Sequence, residues 1–184
     1  MKSIALSTLK SVAALLLASI AAIAAYDVLA FQPRQLEIRA LLNRAPPEDR
    51  DPPASIRRYI DAAHRSTYPP STAVARLLLA RLGTPRHENA LSWHVRVVLW
   101  DLLVSLHLSQ DQILALYSTL SYNGAGHSIS QLSQKLYAKP ASALSDAEAA
   151  TVVAILWAPG LYLHDKSRLE RRRDLLLARA QTRH

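Results

Sequence analysis

The sequence predicts an all-α protein, and three observations support this prediction. Apolar residues recur every three or four positions along most of the chain after residue 54, which is the period of a helix face. Serine-based capping signals and proline or glycine stops separate these stretches. No convincing alternating strand, hairpin turn or internal repeat interrupts them. The predicted helices are Ser55 to Arg65, Ser71 to Leu82, Glu88 to Leu106, Asp111 to Ser118, Ile129 to Tyr137, Ala147 to Trp157 and Lys166 to Ala180.

The first element is an N-terminal membrane anchor over residues 1–31. Val12 to Phe31 is apolar apart from Asp27 and is about long enough to cross a bilayer. The short tail before it carries Lys2 and Lys10 and no acid, the usual layout of a cytoplasmic N-terminus with the bulk of the chain exported. A cleaved signal peptide is the alternative, because Ala22-Ile23-Ala24 offers a small-residue cleavage site. Both interpretations export the domain.

A proline- and charge-rich linker, residues 32–54, is predicted between the anchor and a helical domain over residues 55–184. Its core, Ala45 to Ala54, has a proline pair near each end. Prolines do not continue a helix, and they push the preceding residue toward extended backbone. We therefore expect extended chain here.

The run from Leu108 to Tyr162 holds the clearest helix boundaries. Ser109 with Gln112, and Ser145 with Glu148, have the spacing of capping boxes. Pro159-Gly160 then stops the apolar segment Ala149 to Trp157, which has no charge and is expected to form a central buried helix. Two glycines in the loop between the predicted helices, Gly124 and Gly126, indicate an exposed turn.

The order of these elements resembles the peptidoglycan glycosyltransferases, the monofunctional transglycosylases and the transglycosylase domains of bifunctional penicillin-binding proteins. The matching stretches are LSQDQILALY, YNGAG, YAKP and LSDAEAATVVAILWAPGLY. The matched positions are Ile113, Leu114, Tyr117, Gly124, Gly126, Tyr137, Lys139, Glu148, Ala149, Ala150, Pro159 and Tyr162, with Arg171-Arg172 and Leu175-Leu176 in the closing helix. The resemblance covers about two-thirds of the chain. It implies a lysozyme-like helical fold and a single-pass protein of the inner membrane whose domain faces the periplasm or the cell exterior.

Composition fits a small envelope protein. The chain has 184 residues, a net charge of +8 and no cysteine, which excludes a disulfide framework and a thiolate metal site. A basic domain beside a membrane is drawn to anionic head groups or to a pyrophosphate. Nucleic acid is not expected as a partner, because neither a recognition module nor an aromatic platform appears. The resemblance implies a lipid-linked peptidoglycan precursor and cell-wall synthase proteins as partners.

The N-terminal half of the domain departs from the family pattern. The family supplies a catalytic base from a Glu-Asp segment, and our alignment places His64 where that glutamate stands. The following Ser-Thr is kept as Ser71-Thr72, but the paired glutamines become Ala75 and Arg76 and the lysine becomes Leu79.

The second family glutamate is also replaced. The Arg-Lys-x-x-Glu motif aligns with Trp93 to Val97, so a valine stands at the glutamate position. Asp101 lies one turn further along the same helix. Both carboxylates expected of the family are thus missing in this alignment.

Six residues are the candidates for the site. His64 and Asp101 are the candidate catalytic bases, because an imidazole or a desolvated carboxylate can take a proton near neutral pH. The structural alternatives are that His64 only ends a helix and that Asp101 is a hydrogen-bonded or solvent-facing aspartate without a catalytic role. The candidate substrate-binding residues are Ser71, Thr72, Arg76 and Arg96.

Each of the binding candidates also has a structural alternative. Ser71-Thr72 alternatively caps a helix, and the two arginines alternatively face water. No metal site and no cofactor is predicted, and a divalent cation is left open.

Two functions follow from the resemblance and the missing carboxylates. One is a divergent glycosyltransferase acting on lipid-linked disaccharide precursor with an unconventional base. The other is a non-catalytic relative, a membrane-anchored scaffold or regulator of cell-wall synthesis. The resemblance alone is no warrant for activity.

Overall fold

The computed structural model describes residues 2–64, 68–83 and 89–182, and the prediction of an all-α fold is confirmed over them. These residues form no strand, and Tyr122 and His127 are joined by an isolated antiparallel bridge. The chain forms two compact units, Met1–Glu37 and Ile38–His184.

The first unit is a helix that continues beyond the apolar segment. α1, Lys2–Tyr26, leads through a π-helical turn, Asp27–Phe31, and a 3-10 turn, Gln32–Arg34, into α2, Gln35–Arg44. The helical stretch Lys10–Arg44 contains a segment with a mean hydropathy of 2.2, none of it buried, and is long and apolar enough to cross a membrane. It is therefore a candidate membrane anchor, although a signal sequence has the same length and composition.

The second unit contains the segment Ala45 to Ala54, which we expected to be extended, and the structure differs there. Residues 47–50 form the short helix α3, Pro47–Arg50, with Pro47 in its first turn. A proline is tolerated at that position because the N–H it lacks has no partner within the helix. Glu48 accepts hydrogen bonds from the backbone N–H groups of Ala141 and Ser142, and Asp49 is fully buried. This segment is thus packed into the domain.

The described residues of the unit form eight further helices and one 3-10 turn. They are α4 Ala54–Ala63, α5 Pro70–Leu82, α6 Ala90–His107, α7 Gln110–Leu120, α8 Ile129–Tyr137, the 3-10 turn Ala141–Ala143, α9 Asp146–Trp157, α10 Pro159–Tyr162 and α11 Lys166–Gln181. The seven helices predicted in this range are present, and their ends lie at the predicted residue or within two residues of it. Arg65 and Glu88, predicted as helix ends, lie outside the described residues.

α9 is the central helix, as its charge-free sequence predicts. It packs against α4, α8 and α11, and its residues from Ala149 to Leu156 are buried except the half-buried Thr151. Trp157, at its C-terminal end, is exposed, as are Asp146 and Ala147 at its start. Both capping boxes are confirmed: Ser109 with Gln112 starts α7, and Ser145 with Glu148 starts α9.

The loop before α8 is the turn expected from its glycines. Asn123 organises it, because its Oδ1 accepts hydrogen bonds from the N–H groups of Ala125 and Gly126. Gly124 has a φ of +92°, in the left-handed region that glycine adopts without strain. Gly124 and Gly126 are half-buried rather than fully exposed.

α6 packs into the domain along one apolar row and leaves a second apolar row exposed. The side chains that pack inward are Val97, Trp100, Leu103 and Val104. The series Leu91, Val95, Val98, Leu102 and Leu106 is exposed along its whole length. The apolar spacing correctly indicates a helix, but it does not by itself show which of the two apolar rows is buried.

Candidate functional site

The candidate site is an open cavity of about 500 Å³ between the end of α4, α5, α7 and the end of α9. Four aromatic side chains and an imidazole dominate its walls. The described lining residues are His64, Tyr68, Ala73, Arg76, Leu77, Tyr117, Ser121, Tyr122, Leu156, Trp157 and Pro159. None of these carries a carboxylate.

His64 is held in this wall by the end of α4. It is the residue that caps α4, where the chain turns to extended backbone, and it is only 4% exposed. Its Nδ1 lies 3.1 Å from the carbonyl oxygen of Tyr68. Because a carbonyl only accepts, Nδ1 is the nitrogen that carries the proton. Nε2 is buried with no hydrogen-bond partner among the residues described.

The electrostatics of His64 favour the neutral imidazole. Burial lowers the pKa of His64, the hydrogen bond to Tyr68 opposes this, and the positive charge of Arg172 lowers it further. At neutral pH the ring therefore presents an unprotonated Nε2, which is able to accept a proton.

Aromatic contacts fix the orientation of the imidazole. The ring of His64 is stacked on Tyr68, with centroids 5.8 Å apart, and meets Tyr117 and Trp157 edge-on at 5.2 Å each. Burial also raises the pKa of Tyr117, so its hydroxyl remains protonated over the physiological range. His64 is thus the group in this cluster that can act as a base near neutral pH.

Two arginines place positive charge against the aromatic walls. The guanidinium of Arg76 lies 5.5 Å from the ring centroid of Tyr68, and that of Arg172 lies 4.9 Å from the ring centroid of Trp157. Arg76 lies at the exposed surface of α5 and lines the cavity. The cavity therefore combines flat apolar faces with a cation, an arrangement suited to a sugar ring joined to an anionic group.

The other candidates predicted from the sequence lie around the cavity rather than in it. Ser71 and Thr72 are in the first turn of α5, and Ser71 is buried. Thr72 donates a hydrogen bond to Asp101 on α6, away from the described lining. Arg96 is half-buried on α6 and also lies outside that lining. The structure thus brings His64 and Arg76 together and pairs Thr72 with Asp101.

Two residues that match the family pattern pair with each other. Lys139 Nζ lies 2.7 Å from Oε1 of Glu148, the glutamate of the α9 capping box. The hydrogen bond from Lys139 is the largest of the interactions that lower the pKa of Glu148 to about 2. Glu148 is therefore a structural carboxylate that joins the start of α9 to the loop after α8.

No metal centre is indicated by the described part of the chain, which holds no group of three His, Asp or Glu side chains placed to bind a metal ion. Whether the protein uses a divalent cation stays open, as in the sequence analysis.

The aromatic lining of the cavity was not predicted from the sequence. One sequence feature could have indicated these side chains: each of Tyr68, Tyr122 and Trp157 stands near a helix end, beside a proline or a turn.

Comparison with known proteins identifies the family. The sequence model of the Transglycosylase family matches residues 73–181, which is more than half of the chain and runs from α5 into the last turn of α11. His64, Ser71 and Thr72 precede the matched range, whereas Arg76, Arg96 and Asp101 lie inside it. No curated protein matches the chain. The match over more than half of its length places the chain in the transglycosylase family.

Proposed function

We propose that the chain is a peptidoglycan glycosyltransferase-like protein of the bacterial cell envelope that binds a lipid-linked disaccharide precursor in the cavity around His64. The observation that carries the proposal is the transglycosylase match, whose range includes the nine described cavity residues that follow Tyr68 in the chain. Trp157 and Tyr122, 40% and 49% exposed, offer flat faces to sugar rings. Arg76 offers a cation to a phosphate.

The proposed location is the inner membrane. The helical stretch Lys10–Arg44 is the candidate single span, and Lys2 with Lys10 favours a cytoplasmic N-terminus. The domain then faces the periplasm or the cell exterior. A reporter fused after His184 that is active only in the cytoplasm would exclude this orientation.

Glycosyl transfer to a sugar hydroxyl needs a base to take the hydroxyl proton and cations to stabilise the departing pyrophosphate. The described lining of the cavity contains no carboxylate, and the only group there that accepts a proton near neutral pH is His64. Val97, aligned with the second family glutamate, is buried. A missing general base costs about 10²- to 10⁴-fold in rate. We therefore propose binding of precursor with polymerisation far below that of ordinary family members.

A non-catalytic scaffold or regulator of cell-wall synthesis is the second candidate. The burial of Val97 favours it, because an apolar side chain has replaced a carboxylate without leaving a charged substitute at that position. In this case the cavity binds precursor or glycan and presents it to a synthase partner.

The deciding experiment measures binding and polymerisation on the same full-length, detergent-solubilised protein with a fluorescent lipid-linked disaccharide. Saturable binding without polymer supports the scaffold. Slow polymer formation that His64→Gln abolishes, and that His164→Gln leaves unchanged, supports a base at His64. The control, His164, is exposed before α11 and outside the described cavity lining. Fast turnover retained by His64→Gln, or no binding at all, would refute the proposal.

A further inference from the structure

α6 has apolar side chains on two faces. The inner face packs into the domain through Val97, Trp100, Leu103 and Val104. The outer face, here called the α6 stripe, consists of Leu91, Val95, Val98, Leu102 and Leu106, which are 74%, 51%, 67%, 47% and 70% exposed. Scattered exposed leucines are normal on a protein surface, but a continuous apolar row indicates a contact.

The α6 stripe is straight and free of charge. Its members are spaced by four, three, four and four residues, so they follow one line along a helix for roughly 22 Å. At 100° per residue, the charged side chains of α6, Arg96 and Asp101, project away from this line. A helix with this pattern is apolar all round and is expected to be covered on both sides.

The α6 stripe is too small a surface to hold a second copy of the chain in a stable dimer. Five side chains on a single helix form a patch of a few hundred square ångströms, whereas a standard protein interface buries about 800 Å² on each partner. A lipid surface does not have this requirement, because it covers a narrow apolar row by letting the helix sink between head groups.

We propose that the α6 stripe lies in the interfacial layer of a lipid bilayer, with α6 parallel to the membrane plane. Helices bound in this way bury their apolar side about 5–10 Å into the boundary between head groups and acyl chains. The same chain carries a candidate membrane span, which keeps the domain at a bilayer, and its net charge of +8 favours anionic head groups. This contact is additional to the span and does not depend on what the cavity binds.

The test uses the absence of cysteine from the chain, so that one introduced thiol is the only labelling site. Val98→Cys is labelled with an environment-sensitive fluorophore, and the full-length protein is reconstituted into vesicles of phosphatidylcholine and phosphatidylglycerol. Lys135→Cys, at an exposed position on α8, is the matched control. We expect the Val98 probe to be quenched by nitroxides on shallow acyl-chain carbons and protected from aqueous iodide, with the reverse for the control.

A variant with carboxylates in the α6 stripe distinguishes a contact with lipid from a contact with protein. Leu91→Asp with Leu106→Asp in the Val98→Cys background should remove most of the nitroxide quenching, because carboxylates at both ends oppose insertion. These side chains are exposed, so the helical content by circular dichroism should not change. Iodide quenching of the original Val98 probe equal to the control would overturn the proposal. Protection that rises with the protein-to-lipid ratio, without nitroxide quenching, would instead identify a second copy and would also overturn it.

Discussion

The hydroxyl of Thr72 donates a 2.7 Å hydrogen bond to Oδ2 of Asp101 and so joins the start of α5 to the middle of α6. Oδ1 of the same carboxylate is buried without a hydrogen-bond partner among the described residues. The Thr72 hydroxyl therefore carries most of the local polar compensation for Asp101. A carboxylate left without this donor would be costly.

Thr72→Val, which keeps the shape and removes the donor, should lower the free energy of unfolding by about 1–3 kcal/mol. The matched control is Thr119→Val, because Thr119 bonds only to a carbonyl within its own helix, and it should change stability little. Chemical unfolding of the detergent-solubilised protein measures both. In combination with Asp101→Leu, the Thr72 change should cost much less than alone; strict additivity would show that the two side chains are not coupled.

The lowered pKa of His64 predicts a loss of stability in mild acid. The unfolded chain takes up a proton near the ordinary pKa of 6.5, whereas the buried ring in the folded chain does so only at lower pH. Stability from this group is therefore complete above pH 6.5 and declines as the pH falls toward the folded-state pKa. The drop in Tm between pH 7.5 and pH 5.5 should be smaller in His64→Gln than in the wild type. His164→Gln should keep the wild-type drop, and an unchanged drop in His64→Gln would contradict the assignment.

Gly124 is the glycine that the fold most clearly requires. Its φ is +92°, and a Cβ added there would collide with the side chain of Leu163. Gly124→Ala should destabilise the domain by about 1–3 kcal/mol, mainly through the left-handed backbone. Gly160→Ala is the control, because a Cβ at Gly160 meets nothing within 4 Å. Thermal unfolding that shows equal losses for both variants would refute this assignment.

Ala138 presents the opposite case. It ends α8 in the left-handed region, at a φ of 53° and a ψ of 33°, without being glycine. Ala138→Gly should therefore stabilise the protein by about 1 kcal/mol. Ala143→Gly, at an exposed position in the 3-10 turn before α9, should destabilise it slightly. The same sign of change in Tm for both variants would contradict the backbone argument.

Glu48 holds the segment before α4 onto the domain. Its carboxylate accepts hydrogen bonds from the N–H groups of Ala141 and Ser142 and from the Ser142 hydroxyl, at 2.6–3.0 Å. Burial raises the pKa of Glu48, but the bonds from Ser142 and Ala141 outweigh it and lower the pKa. The stabilisation is thus present above pH 4.5 and is lost in acid. Glu48→Gln should reduce the Tm at pH 7 and have less effect at acidic pH. Glu170→Gln, a control on α11 whose side chain is 47% exposed, should change the Tm little at either pH.

Helix positions could be predicted because their signals are local. Ser109 with Gln112 and Ser145 with Glu148 place helix starts from residues three apart, and both capping boxes form. Proline is less informative, because Pro47 begins a helix in a segment where it suggested extended chain. In α6, apolar residues on nearly all sides leave the buried face undecided until the packing of α5 against it is known.

The cavity could be predicted only in part. His64 and Arg76 were identified by alignment with the family, and both line the cavity. Its aromatic walls could not be predicted, because Tyr68, Tyr122 and Trp157 are far apart in sequence and line one cavity only in the folded domain. Asp101 and Thr72 look like site residues from their types, yet they bond to each other.

The position of Trp157 gives the cavity an optical reporter of its own. Of the three tryptophans in the chain, it is the one that lines the described cavity. Its indole touches the imidazole of His64 on one side and lies under the guanidinium of Arg172. With Trp93 and Trp100 replaced by phenylalanine, the emission of this single indole should respond to a bound ring and to the protonation of His64. Ligand entry and proton uptake can then be followed separately in unlabelled protein, by comparing emission spectra with and without ligand at two pH values.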